Sequence, residues 1–369
     1  MSILLDTIRS LFAARGAGMV DVAMLQPADP FLDMAGEDLR RRIFLTESET
    51  GESLCLRPEF TIPVCLDHIA TRAGTPRRYA YLGPVFRQRR EGGSEFLQAG
   101  IEDLGDTDMA AADARSVSDA CALVAATLPG LTPTVTIGDH AVFEAVLAGL
   151  GLPRGWRMRL ARAFGAPGQL DAALEDLANP AGRLALDEPV TTLVREGDYP
   201  GLLAHIAAGM EAAGLSASSG RTAEEIARRL MEKAELRSVR LSREAFEALK
   251  RFLAIRVPLD QAADVLSGFA ADAGLSLGGA FDLFAARADA MALLELDTSA
   301  IHYDAAFGRP LDYYTGLVFE IGASPDGRPL VGGGRYDRLL TLLGAGKPIP
   351  GVGFSVWIDR IEALRESVR

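Results

Sequence analysis

Strand-forming sequence in this chain falls into two groups, one ahead of residue 140 and one from residue 300 on, with residues 141–292 of helical character between them. Strands so far apart must come together to bury their apolar faces, so the arrangement predicts one sheet interrupted by an insertion. It excludes a serial strand–helix–strand winding, in which the two element types alternate along the chain. The first group comprises Met19 to Leu25, Ile43 to Thr46, Ser53 to Leu56, Tyr79 to Leu82, Phe96 to Asp103 and Thr134 to Ile137. These are short runs, stopped by Pro27, Pro58 and the pair Gly83-Pro84. The second comprises Ala300 to Phe307 and Tyr314 to Ile321, followed by glycine-rich turns and a helix near Ile358 to Leu364. Helical spacing opens the chain at Leu4, Ile8, Leu11 and Phe12, closing at Gly16, and recurs in the alanine-rich Met109 to Thr127. In the middle stretch, Ala141 to Leu150, Ala223 to Leu230, Arg243 to Leu253 and Leu259 to Ala271 set apolar residues against charges, with breaks at Pro153, Pro180, Pro200 and Gly220. The expectation is an α+β protein whose core is formed by residues 1–140 and 293–369, carrying a mostly helical insertion at 141–292.

Composition narrows the function. Acidic residues outnumber basic ones 50 to 38, and a formal charge of −12 gives no general attraction to nucleic-acid backbones or anionic lipid. Any nucleic-acid role would need a local basic patch. Cys55, Cys65 and Cys121 are odd in number and lack C-x-x-C spacing, as expected of reduced thiols. The opening Met1 to Asp6 has no basic leader region, and no apolar run approaches the roughly 20 residues that cross a bilayer. A cytoplasmic protein with no membrane partner is therefore expected. His68, His140, His205 and His302 are scattered without ligand spacing, so neither a metal site nor a cofactor is expected. Gly344-Ala345-Gly346-Lys347-Pro348 is not a phosphate loop, because Thr341 stands where the earlier glycine is needed and Pro348 where magnesium needs a hydroxyl.

Three segments crowd arginine, acids, aromatics and glycine into strand-like surroundings. The first is Leu56-Arg57-Pro58-Glu59-Phe60-Thr61. The second runs from Tyr79 through Phe86-Arg87-Gln88-Arg89-Arg90 to Phe96-Leu97-Gln98 and Glu102. The third is Gly308-Arg309-Pro310-Leu311-Asp312-Tyr313-Tyr314, with Gly332-Gly333-Gly334-Arg335-Tyr336-Asp337 and Gly351-Val352-Gly353-Phe354 to Asp359-Arg360 behind it. Taken singly, an arginine or a tyrosine pair in such places is a salt bridge or packing.

Together and in this order, they resemble the histidyl-tRNA synthetase branch of the class II aminoacyl-tRNA synthetases. Phe86-Arg87 leading to Gln98 and Glu102 is similar to motif 2; Arg309 to Tyr314 and Gly333 to Asp337 resemble the two histidine signatures; Gly351 to Arg360 is similar to motif 3. The resemblance implies a class II synthetase-like core, an antiparallel sheet flanked by helices. It also implies a histidine pocket. Glu59, Thr61, Gln98 and Glu102 would hold the ammonium end or position its polar neighbours, Arg87 and Arg309 would face anionic oxygens, and Tyr314 with Tyr336 would bracket the imidazole.

The departures from that family point to a degenerate nucleotide site at Arg89, Trp357 and Arg360. Arg89 replaces the acid that accepts from adenine, the loop Glu91 to Glu95 is short, Trp357 stands where the family keeps a glycine, and Asp359 replaces glutamate. Adenylate formation needs ATP held in line with the carboxylate, and rate falls steeply when that geometry is lost. The chain also stops at Arg369 without room for an anticodon-binding domain, so tRNA is not expected as a partner. This profile resembles the regulatory subunits of ATP phosphoribosyltransferase. The resemblance implies a non-catalytic chain that dimerises with itself, with the segment around Pro27 in the dimer region. It would join a short-form catalytic subunit in a hetero-octamer, activate the first step of histidine biosynthesis, and mediate feedback inhibition by histidine. The alternatives are a truncated active histidyl-tRNA synthetase and a free-standing amino-acid-binding paralogue.

Overall fold

The computed structural model describes residues 2–34, 37–89, 93–178, 187–213, 222–238, 241–309, 311, 313–322 and 327–367. Met1, Arg90, Glu91, Gly92, Pro180, Gly220, Pro310, Asp312 and Arg369, named above, lie outside them. The strands are β1 (Gly18–Met19), β2 (Leu25–Pro27), β3 (Leu45–Glu47), β4 (Ser53–Leu56), β5 (Arg77–Phe86), β6 (Glu95–Leu104), β7 (Thr134–Asp139), β8 (Arg256–Pro258), β9 (Ile301–Asp304), β10 (Leu317–Gly322), β11 (Val331–Arg335) and β12 (Gly351–Trp357). The helices are α1 (Ser2–Ala14), α2 (Asp29–Met34), α3 (Glu37–Arg40), α4 (Thr61–Ala70), α5 (Met109–Thr127), α6 (His140–Gly149), α7 (Arg154–Ala163), α8 (Pro167–Ala178), α9 (Glu188–Glu196) and α10 (Tyr199–Ala212). They continue with α11 (Ala223–Ser238), α12 (Arg243–Leu253), α13 (Leu259–Ala273), α14 (Gly278–Leu293), α15 (Leu339–Leu342) and α16 (Ile358–Ser367). No helix among the described residues is long and apolar enough to cross a membrane.

Nine strands form one sheet in the order β1-β5-β6-β12-β11-β10-β7-β9-β8, and β2-β4-β3 form a small second one. Only β1–β5 and β7–β9 pair in parallel in the large sheet, so it is mixed rather than purely antiparallel. The two strand groups meet as the spacing predicts: β10, β11 and β12 insert between β6 and β7. Two local expectations fail. The glycine-rich segments at 331–335 and 351–357 are central strands, not turns. And β5 does not stop at Gly83-Pro84 but runs on to Phe86. Proline is tolerated there because its backbone faces the outer side of β5, where the Pro84 carbonyl accepts from Arg57 Nε at 2.9 Å, so no ladder donor is missed.

Alternation along the central strands separates the two sheet faces. Ala99, Ile101, Phe354 and Val356 point into the core beneath the helices, where α1 contributes Leu4, Ile8 and Phe12. The opposite residues of the same strands, Gln98, Glu102, Gly353, Ser355 and Trp357, point to a cavity. Helices α5 and α14 clamp the covered face through buried ions: Asp113 accepts from Arg287 Nε at 2.7 Å and from Arg335 Nε at 2.8 Å. Within 141–292, β8 pairs with β9 at the sheet edge and α14 packs along α5, while Val190, Leu202 and Ala227 of α9, α10 and α11 share a small apolar cluster of their own.

Candidate functional site

Glu59 begins the site. It sits just ahead of α4, and its carboxylate accepts from the Thr61 and Ile62 backbone N–H groups at 2.7 and 2.9 Å, taking up donors a helix start leaves free. That fixes the Thr61 hydroxyl, which donates to Glu102 Oε1 at 2.8 Å, while the Tyr336 hydroxyl donates to Glu102 Oε2. Burial pushes the Glu102 carboxyl up to about 8, against these two donors, which favour the charged form; the nearby Glu59 pushes the same way as burial. Glu59 itself is raised by burial, in spite of its backbone donors.

Gln98 stands two steps from Glu102 along the same face of β6, opposite Trp357 in the β6–β12 register. Its side chain is fully buried, and neither its Oε1 nor its Nε2 has a hydrogen-bond partner. An amide buried this way costs free energy unless something fills the cavity and bonds to it. Arg87 donates from Nε to the Pro58 carbonyl at 2.6 Å, and burial lowers its guanidinium to about 10. Arg309 is ion-paired with Glu320 on β10, and its Nε is buried without a partner. Tyr314 and Tyr313 pack with ring centroids 5.1 Å apart, and Tyr313 meets Tyr336 edge-on at 6.0 Å.

These side chains line one cavity of about 140 Å³. It brings together Glu59, Thr61, Arg87, Gln98, Glu102, Arg309, Tyr314 and Tyr336, all eight residues that the resemblance assigns to histidine. The glycines make this possible. A Cβ on Gly353 would overlap the Glu102 carboxylate, and one on Gly332 would overlap the Arg309 guanidinium, so both side chains lie flat on strands that must be bare there. Tyr313, Ser355, Leu311, Leu39 and Arg42 also line the cavity without having been assigned a role from sequence. Glu320, the partner of Arg309, was legible as a lone acid between Phe319 and Ile321 on a buried strand.

Of the three residues assigned to a degenerate nucleotide site, only Trp357 reaches the cavity. Arg360 lies 4.2 Å from the Trp357 ring on one side and Arg309 lies 6.0 Å away. Burial lowers the Arg360 guanidinium to about 10. Arg89 is turned aside: it pairs with Asp359 at 3.0 Å and stacks 3.3 Å over Phe96. No cluster of three or more His, Cys, Asp or Glu suited to a metal ion occurs among the described residues.

The family model for histidyl-tRNA synthetase matches residues 2–196 and 198–361. The ATP phosphoribosyltransferase regulatory subunit of Mesorhizobium japonicum is 72% identical over 98% of this chain and 96% of its own length. Those of a Chelativorans species and of Agrobacterium fabrum are 63% and 60% identical, over 97% and 96% of this chain and 96% and 95% of theirs. Among solved structures, an ATP phosphoribosyltransferase regulatory subunit/histidyl-tRNA synthetase from Bacillus halodurans superimposes with a TM-score of 0.65 at 21% identity, covering 98% of this chain and 77% of that one. A histidyl-tRNA synthetase from Nostoc gives 0.67 at 17%, covering 100% and 72%. At such identities the two structures establish the class II synthetase-like fold, and the sequence matches establish the rest: the chain belongs to the ATP phosphoribosyltransferase regulatory subunit family, within the wider histidyl-tRNA synthetase family.

Proposed function

We propose that this chain is the regulatory subunit of an ATP phosphoribosyltransferase. It is non-catalytic, acts in the cytoplasm, and joins a separate short-form catalytic subunit, in a hetero-octamer built on a dimer of this chain. It activates that subunit at the first step of histidine biosynthesis and carries inhibition by histidine, which binds among Glu59, Thr61, Arg87, Gln98, Glu102, Arg309, Tyr314 and Tyr336. Linkage is the mechanism: histidine favours one arrangement of the assembly, and its differential affinity for the two arrangements sets how far activity falls.

The observation that carries this reading is the cross-strand pair of Gln98 and Trp357. On one side an unsatisfied buried amide offers a donor and an acceptor to a small polar ligand; on the other an indole stacked by Arg360 occupies the place beside it. Amino-acid binding without nucleotide chemistry is what such a pair supports.

The test is to purify this chain with the short-form catalytic subunit and assay phosphoribosyl transfer with and without it, then add histidine. A rate gain on mixing, lost on adding histidine, is expected. No association would favour a free-standing paralogue. Histidine-dependent exchange of pyrophosphate with ATP by this chain alone would favour a truncated synthetase.

A further inference from the structure

A second, larger cavity of about 540 Å³ lies against the first, sharing Arg309, Leu311 and Tyr314 with it. Its outer wall is α7, where Arg154, Arg157, Met158, Ala161 and Arg162 recur at helical spacing on one face, opposite the buried Trp156, Leu160 and Ala163. Arg338, at the start of α15, and His140, at the start of α6, close it from the sheet side. Five arginines thus face one hollow, against the carboxylates of Asp33 and Glu144, in a chain whose formal charge is −12.

What distinguishes these arginines is that their charge is unspent. Arg309 is paired with Glu320, but Arg154, Arg157, Arg162 and Arg338 make no side-chain hydrogen bond or ion pair among the described residues. Elsewhere on α7, Arg159 does pair, with Asp176 of α8. Three buried polar atoms without a partner also line the hollow: His140 Nε2, Arg157 Nε and Arg309 Nε, with His140 only 6% exposed. Buried donors left open, together with like charges held close, cost stability unless an anion completes them. Guanidinium groups from separate elements suit neighbouring phosphates, which they meet with paired N–H groups. An extended nucleic acid is disfavoured by the acidic remainder of the surface.

We propose that this cavity binds a small polyphosphate, a molecule carrying two or three linked phosphates. The inference does not depend on the amino-acid reading of the first cavity, since it uses only the arginines and orphaned atoms of the second. Isothermal titration of the full-length chain with sodium tripolyphosphate in metal-free, low-salt buffer tests it. One saturable site per chain is expected. Arg157→Ala and Arg338→Ala, on different elements, should each weaken it about tenfold or more, Arg157→Lys less, and Arg159→Ala not at all. The wild-type titration stands whatever the variants' folding: no saturable binding overturns the proposal. Equal loss in Arg159→Ala overturns it too, as simple charge screening, and so does displacement of tripolyphosphate by a tighter-binding hairpin RNA.

Discussion

On the proposed reading, Glu102 ties histidine affinity to pH. With its carboxyl pushed up to about 8 by burial, about one molecule in ten is ionised at pH 7 and about half at pH 8. An ammonium needs the ionised form, so histidine should bind about fivefold more tightly at pH 8 than at pH 7, releasing close to one proton at the lower pH. Glu102→Gln keeps an oxygen to accept from Thr61 or Tyr336 and nearly the same volume, but removes the charge. Its affinity should lack this pH slope. It should also be about tenfold or more weaker at pH 8, since a hydrogen bond to a charged group contributes roughly 1.5–3 kcal/mol. Calorimetry in two buffers of different protonation enthalpy measures both the affinity and the protons released; the free amino acid titrates identically in both proteins, so their ratio isolates Glu102. Equal pH slopes in wild type and variant would refute the reasoning. The sign for stability runs the other way. A carboxyl raised in the fold from its ordinary 4.5 leaves stability intact at acid pH and erodes it as pH climbs toward 8. Glutamine suffers no such loss, so the variant's melting temperature should gain on wild type between pH 5 and pH 8.

Asp113→Ala strips the shared acceptor from two guanidiniums, Arg287 and Arg335, that are 2% and 1% exposed. Unfolding in urea should show a loss of about 3–5 kcal/mol, the usual cost of breaking a buried ion pair by removing one partner. Gly353→Ala puts a methyl group into the Glu102 carboxylate and should abolish histidine binding in calorimetry, whereas Gly346→Ala, where a Cβ meets nothing within 4 Å, should leave it unchanged. Because Arg309 and Tyr314 line both cavities, tripolyphosphate should shift histidine affinity, and histidine should shift tripolyphosphate affinity by the same factor. Unchanged dissociation constants in both titrations would mean that the shared wall transmits nothing.

The fold was legible where local signals agreed with packing. Alanine-rich Met109 to Thr127 and amphipathic Arg243 to Leu253 are helices with those boundaries, because capping by Asp108 and Ser242 coincides with the change of pattern. It was illegible where tertiary demands override propensity. Val331 to Arg335 reads as a turn, because three successive glycines have no side chain to favour a strand. They form one nonetheless, since Arg309 must lie across Gly332 and Tyr314 close to Gly334, contacts made by residues distant in sequence. The site residues came from a resemblance, and the geometry supplied what their order could not: Glu320 against Arg309, the second wall at α7, and the aside turn of Arg89.

On the proposed reading, nucleotide chemistry is lost from this pocket without loss of its positive charge, because that charge is already engaged. Arg89 is still present but paired with Asp359; Arg309 is held by Glu320; Arg87 donates to the Pro58 carbonyl; Arg360 rests on Trp357. Each of these guanidiniums is already partly engaged inside the protein, so an incoming triphosphate competes with those contacts for its donors. A zwitterion meets the opposite situation at Gln98, where both polar atoms wait for a partner. The open cationic sites lie one wall away, at Arg154, Arg157, Arg162 and Arg338. An anion is therefore drawn to the second cavity rather than the first, and the two ligands can be bound together across Arg309 and Tyr314, which is the geometry that linkage between them needs.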